Sequence, residues 1–214
     1  MRIDFVSDIV CPWCAIGLSA LEQALERLGP GVAVSLHFQP FELNPDMPPE
    51  GQDIGEHLAQ KYGLTPEQVA ANREMIRQRG EDVGFTFRMD PRSRIVNTFN
   101  AHRLLHWAGE QGGDAQHRLK KALLGAYFTE GQNPSDIAVL LSVAGAVGLD
   151  ESRARQILEG DDYTEAVRER QRFYAEQGIR AVPSVILNNR HLIQGGQPVE
   201  VFEQALRQVA AAEG

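Results

Sequence analysis

Apolar residues alternate with polar ones in a few short runs, and elsewhere they recur at helical spacing. Ile3 to Ser7 reads as a short strand, followed by a helix whose apolar stripe is Leu18, Leu21, Leu25 and Leu28. Pro12 suits the first position of that helix, because a helix start has no use for the N–H that proline lacks. Gly29, Pro30 and Gly31 end it. Val32, Val34, Leu36 and Phe38 then alternate with Ala33, Ser35 and His37 as a second strand. Strand, helix and strand in this order predict a βαβ unit with a right-handed crossover and parallel strands.

The next strand pattern comes only at Ser184 to Leu187, which predicts a hairpin with His191 to Ile193 around a turn at Asn188 and Asn189. A final helix carries Val199, Phe202, Leu206 and Val209 on one face, with Pro198 near its start. The long interval between these halves is helical. Ile54, Leu58 and Tyr62 mark one helix, and Thr65, Pro66 and Gln68 open another with an N-cap, a first-turn proline and a capping-box partner. Further helices are expected over 95–108, 114–128, 135–147, 150–158 and 162–177, with Gly131, Gly148 and Gly160 at their C-caps. Phe85 and Phe87 alternate in a short extended segment of core character, and Met47, Pro48, Pro49 and Gly51 mark a hinge loop between lobes.

Composition narrows the classes. With 214 residues, 43% of them hydrophobic and 23% charged, the chain has the makeup of a globular protein rather than a disordered one. No apolar run approaches the roughly 18 residues of a membrane span. Lys and Arg number 21 against 29 Asp and Glu, and the resulting net charge of −8 repels phosphate backbones, so nucleic acid is not an expected partner. The first residues, Met1 to Phe5, include Asp4 and open no long apolar run, so no secretory leader is read there and the expected address is the cytoplasm.

The candidate chemistry lies in the only two cysteines, Cys11 and Cys14. A zinc site would need four ligands, and there is no second cysteine pair. Redox exchange is the better reading. The pair falls at a strand-to-helix junction, where free N–H groups and the helix dipole favour negative charge on Cys11. Cys11, at the exposed helix start, is therefore the expected thiolate nucleophile, and Cys14, one turn along and more buried, the resolving thiol. An oxidised pair takes electrons from a dithiol through a mixed disulfide, and a reduced pair runs the exchange backward. Trp13 adds a flat apolar surface beside the nucleophile.

Other candidates carry plainer readings. His102 and His106 stand at i and i+4, a spacing that can bind zinc, but without an H-E-x-x-H pattern they are assigned structural or surface roles. Arg168, Glu169, Arg170, Gln171 and Arg172 read as a solvated helix face. Gly195, Gly196 and Gln197 precede the last helix, where free N–H groups could hold a carboxylate such as that of glutathione; turn chemistry explains the glycines equally well.

The run Ser7, Asp8, Ile9, Val10, Cys11, Pro12, Trp13, Cys14 resembles the active-site segment of the DsbA family, in its cytoplasmic FrnE-like branch. That branch is similar in turn to 2-hydroxychromene-2-carboxylate isomerases and kappa-class glutathione transferases. Phe38 to Pro45, Asn97 to Leu104 and Val182 to Val185 extend the resemblance across nearly the whole chain. It implies an α/β thioredoxin fold with a large all-helical insertion: residues 1–45 and 161–214 thioredoxin-like, 46–160 inserted. It also implies a cis bond between Val182 and Pro183 facing Cys11, with the Val182 backbone offered to an extended substrate.

On the same footing, Cys11 and Cys14 are expected to be catalytic, and Pro12, Trp13, Val182, Pro183, Gly196 and Gln197 to contact substrate. No metal and no bound organic cofactor are expected, with glutathione a candidate co-substrate and protein or small-molecule thiols and disulfides the expected partners. Two departures matter. The isomerase and kappa branches carry serine where this chain has Cys11, and DsbA carries histidine where it has Trp13, which implies a weaker oxidant. The expected activity is thiol–disulfide exchange, the alternatives being a glutathione-dependent isomerase or transferase of a small aromatic compound and a peptide-binding chaperone module.

Overall fold

The computed structural model of the chain describes residues 1–48, 50–88 and 94–213. Of the expected hinge loop, Pro49 lies outside the described residues. The order of elements is β1 (Arg2–Ser7), α1 (Pro12–Leu28), β2 (Ser35–Pro40), β3 (Gln52–Asp53), α2 (Ile54–Tyr62), α3 (Pro66–Asp82), β4 (Arg94–Ile95) and α4 (Phe99–Glu110). It continues with α5 (Ala115–Phe128), α6 (Ile137–Ala146), α7 (Glu151–Glu159), α8 (Thr164–Glu176), β5 (Ser184–Leu187), β6 (His191–Gln194) and α9 (Val199–Glu213).

The main sheet runs β2-β1-β5-β6, with β1 parallel to β2 and antiparallel to β5, and β5 antiparallel to β6. The βαβ unit is therefore present, and the hairpin closes through Asn188 and Asn189, both at positive φ, with the Arg190 N–H donated to the Leu187 carbonyl at 3.0 Å. Helices α1 and α9 share one core with the sheet: Leu18, Leu21, Phe202 and Leu206 pack with Ile3, Phe5, Val185 and Leu187. A second core fills the helical interval from α4 to α7, built on Leu104, Leu119, Leu123, Leu140 and Ile157. Arg103, 4% exposed, ties α4 to the end of α7 and the turn beyond by donating to the carbonyls of Ile157, Gly160 and Asp162.

Several boundaries differ from the sequence reading. β2 begins at Ser35, not Val32, because its partner β1 begins at Arg2, which lies opposite Ser35. Helix α4 begins at Phe99, not 95; Arg94 and Ile95 instead pair with Asp53 and Gln52 in a two-stranded sheet. α5 is capped at Thr129, whose N–H, like that of Glu130, is donated to the Gly125 carbonyl, so Gly131 lies beyond the cap. α8 begins at Thr164, held back by Tyr163 in the left-handed region.

The 168–172 run is not wholly a solvated face. Arg168 pairs with the buried Glu42 at 2.5 Å and lies over the Phe99 ring, 3.8 Å from its centroid, which docks α8 onto the segment after β2 and onto α4. Among the described residues no helix is long and apolar enough to cross a membrane.

Candidate active site

Cys11 is the N-cap of α1, with φ −93° and ψ 111°, and Pro12 opens the first turn. The extended backbone at Cys11 lets its carbonyl accept from the N–H groups of Cys14 and Ala15 at 3.0 and 3.4 Å. Both cysteines are free thiols. Cys11 is not at an exposed helix start, as the sequence suggested: it is 4% exposed, against 0% for Cys14. The cover comes from the loop before β5, where the Val182 carbonyl accepts from the Cys11 thiol at 3.7 Å.

The Val182–Pro183 bond is cis. Pro183 packs on α1 at Gly17, where a Cβ would lie 3.1 Å from the proline Cγ. Gly196 sits under Trp13: a Cβ there would come within 2.9 Å of the Trp13 carbonyl oxygen. Four of the expected residues, Cys11, Pro12, Trp13 and Val182, line a cavity of about 490 Å³. Cys14, Pro183, Gly196 and Gln197 lie outside its lining. Gly195 makes a turn at φ +84° and donates its N–H to the Pro183 carbonyl, while Gln197 donates to the carbonyls of Gly195 and Gln194. These donors are spent within the loop, which favours the turn reading of the Gly195–Gln197 segment over the carboxylate site.

The cavity walls carry a second set of groups that the sequence reading did not single out. Leu43, Leu58, Tyr62 and Ile95 give it an apolar floor, whereas Lys61, Arg73 and Arg180 bring its charge and His57 adds a polar ring, and no Asp or Glu is among the described lining residues. Lys61 donates to the Leu43 carbonyl at 2.9 Å and to Asn44 at 2.7 Å, and Arg73 Nε is buried with no hydrogen-bond partner among the described residues. Partial burial, together with Lys61, lowers the His57 pKa and favours the neutral ring. Scattered over α2, α3 and the loop before β5, these cations have no spacing that a sequence pattern could reveal.

Behind the cysteines lies a buried polar group. Burial pushes the Cys14 thiol well up, and the hydrogen bond and charge of Cys11 add to the rise. Asp8, 0% exposed, accepts from the Ile9 and Leu43 N–H groups, each at 2.7 Å, and its Oδ1 lies 3.3 Å from His102 Nε2. Burial alone would raise the Asp8 carboxyl, but His102 and these donors outweigh it and hold it below the usual range. His102 thus has the structural role expected of it; among the described residues no group of three or more His, Cys, Asp or Glu could hold a metal. Lys120 of α5, also 0% exposed, completes the set, its Nζ without a hydrogen-bond partner among the described residues.

A β2-β1-β5-β6 sheet with a cysteine pair at the β1–α1 junction, a proline loop opposite and helices interposed before β5 defines a thioredoxin-type fold with a helical insertion. Residues 2–207 match the DSBA-like thioredoxin domain, and the chain belongs to that family. It is 30% identical over 207 residues, 96% of each chain, to the uncharacterized protein YwbO of Bacillus subtilis.

Among solved structures, a Streptomyces coelicolor protein described as a probable DsbA oxidoreductase superposes with a TM-score of 0.90 at 32% identity, covering 99% of this chain and 90% of its own. The cytosolic disulfide reductase DsbM of Pseudomonas aeruginosa, solved with GSH, shares the fold at a TM-score of 0.65 and 18% identity, covering 99% of this chain and 100% of its own. A 2-hydroxychromene-2-carboxylate isomerase shares it at 0.69 and 16%, covering 100% and 98%.

Proposed function

We propose that this chain is a thiol–disulfide oxidoreductase working through Cys11, Pro12, Trp13 and Cys14, with small anionic thiols and disulfides, glutathione among them, as its preferred partners. The observation that carries the reading is the division of the pair: Cys11 opens onto the cavity, and Cys14 lies behind it, fully buried. In the reducing direction the Cys11 thiolate attacks a substrate disulfide, one substrate thiolate leaves, and a mixed disulfide remains on Cys11. Cys14 then attacks Cys11 Sγ, the second substrate thiolate leaves, and the internal disulfide forms. The oxidising direction reverses each step. Neither needs a metal or a bound organic cofactor.

Cationic walls with no described carboxylate favour an anionic partner. Trp13 and the Val182 backbone flank the reacting sulfur and would hold the chain of the substrate, with Pro183 fixing the loop from behind. In this reading residues 1–45 and 161–214 form the thioredoxin-like part, and 46–160 an inserted part that supplies much of the cavity wall. A cytoplasmic address accords with the reducing role described for DsbM, and the FrnE-like branch is the subfamily we assign.

The test is a pair of variants. Cys11→Ser should abolish reduction of oxidised glutathione, and Cys14→Ser should accumulate a mixed disulfide seen as a glutathione adduct by mass spectrometry. Wild-type turnover in both variants would sink the redox reading and return the isomerase reading, which does not require the two sulfurs to interconvert.

A further inference from the structure

Resting on the thiol–disulfide reading, we propose that the cavity takes an amphiphilic partner: a small dithiol, or its disulfide, joined by an apolar arm to an anionic end. The arm lies along α2 and α3, against Tyr62 and Met75, and the anion meets Lys61.

The first observation is an apolar helix stripe without a core. Ile54, Leu58 and Tyr62 recur every four residues on α2, the spacing that ordinarily turns one helix face inwards. Yet no residue of α2 is buried, and all three side chains line the Cys11 cavity. α3 extends the same wall with Val69, Met75 and Ile76. Of the six large apolar residues that stand exposed among the described ones, Tyr62 at 58% and Met75 at 44% both border this cavity, whereas the other four are divided among α6, α8, β6 and α9. Apolar side chains gathered in the open at one mouth mark a surface that a ligand covers. A polar peptide such as glutathione reaches the cations but gives these two side chains nothing apolar to pack against.

The second is the placing of charge. Lys61 sits on the last turn of α2, its Nζ 5.6 Å from the centre of the Tyr62 ring. Two of its three donors go to the Leu43 carbonyl and to Asn44 Oδ1, at 2.9 and 2.7 Å, which fixes the ammonium and leaves one N–H for a ligand. Arg73, four residues after Val69 and three before Ile76, shares their side of α3, and its Nε is buried without a partner among the described residues. On both helices, then, a cation adjoins apolar surface. One molecule satisfies both only if its own apolar and anionic parts adjoin as well. The cavity, at about 490 Å³, has the size of a small-molecule site, and Cys11 opens into it.

The exchange balances. One thiolate of the partner attacks Cys11 Sγ of the oxidised pair, the Cys11–Cys14 bond breaks, and Cys14 leaves as a thiolate that takes up a proton. The partner's second sulfur then attacks the first, Cys11 leaves, and the partner departs as a cyclic disulfide. Two electrons and two protons have passed to the pair, and the reverse reaction returns them.

Dihydrolipoate has two thiols, an aliphatic arm and a carboxylate; dihydrolipoamide keeps the arm without the charge, and dithiothreitol has neither. Oxidised protein is mixed with each, and with a reduced unfolded polypeptide, then quenched by alkylation, and the appearance of its thiols is followed by mass spectrometry. Tyr62→Ser combined with Met75→Ser should lower the rate ratio of dihydrolipoate to dithiothreitol about tenfold. Lys61→Met should lower the ratio of dihydrolipoate to dihydrolipoamide about fivefold. An unchanged ratio in either case would overturn the proposal, as would a loss confined to the polypeptide, which would make the wall a protein-docking surface. No reaction of the wild type with any dithiol would instead overturn the redox reading beneath it.

The unmodified protein gives an independent answer should the variants not fold. Octanoate, an apolar arm and a carboxylate without sulfur, should slow alkylation of Cys11 in the reduced protein saturably, by about fivefold, where acetate at equal ionic strength does not. Equal effects of the two anions would refute the amphiphilic site.

Discussion

Asp8 and His102 meet at 3.3 Å, Oδ1 to Nε2, with side chains 1% and 2% exposed and standing 94 positions apart in the sequence. The contact joins the segment leading into Cys11 to helix α4. Asp8 also receives the Leu43 N–H, so one carboxylate ties together the end of β1, the segment after β2 and the helical interval. The position of Cys11 is thus fixed from parts of the chain far apart in sequence.

Removing His102 should be severe. His102→Leu leaves the Asp8 carboxylate buried without its partner, at about 3–5 kcal/mol, measurable as a fall in the urea midpoint at neutral pH. A loss under about 0.5 kcal/mol would mean that the pair has no structural role.

The pH dependence has a definite sign. Asp8 is depressed in the folded protein, so its contribution is complete above the ordinary carboxylate value and is lost as pH falls through its lower folded value, below about pH 4. Asp8→Asn should be less stable than wild type at neutral pH and have a flatter acid limb. Parallel acid limbs in urea titrations at stepped pH would contradict this.

Arg168 should not tolerate lysine. It pairs through one nitrogen with Glu42, whose side chain is 2% exposed, and covers the Phe99 ring, and a lysine cannot reproduce both the contact over the ring and the hydrogen bonds to Glu42 and Gln171. Arg168→Lys is expected to lower stability by about 1–2 kcal/mol, with a further loss in Arg168→Met. Thermal unfolding of the three proteins checks the order.

Gly196→Ala should disturb chemistry more than folding. The added methyl would press on the Trp13 carbonyl oxygen at 2.9 Å, moving the residue beside Cys11. Expected are a stability cost of about 1–3 kcal/mol and a drop in kcat/KM. Gly29→Ala, at a distant helix end with open space around it, reports the stability loss of a strained glycine site alone.

Charge in the cavity should show in substrate choice. Arg180→Glu is expected to raise KM for oxidised glutathione about tenfold while leaving that for the neutral hydroxyethyl disulfide nearly unchanged. Equal effects on both substrates would remove the anionic preference from the proposed function.

The cysteine pair, its strand-to-helix setting and the βαβ unit were legible because each rests on local chemistry: spacing, a first-turn proline, an apolar stripe. The capping box at Thr65 and Gln68 was legible for the same reason and is present in full. The β3–β4 ladder was not, since two-residue strands have no period and their pairing joins Gln52 to Ile95 across the chain. Arg168 was misjudged by residue type, and Lys120 was not singled out at all. A lysine in a helix reads as solvent-facing, yet this one is fully buried. The cavity cations escaped because they come from separate elements.

The chain carries a net charge of −8, yet the walls beside Cys11 are cationic with no described carboxylate. An approaching anion therefore meets two fields of opposite sign. Beyond a Debye length of about 10 Å the whole molecule repels it, and only near the mouth do the cations draw it in. Salt screens the long-range repulsion first and the short-range attraction last, so capture of a small anion should quicken and then slow as ionic strength rises. Large polyanions, whose charge cannot all enter the cavity, are turned away at every stage. On the proposed reading, the contrast between the surface and the site would act as a size filter.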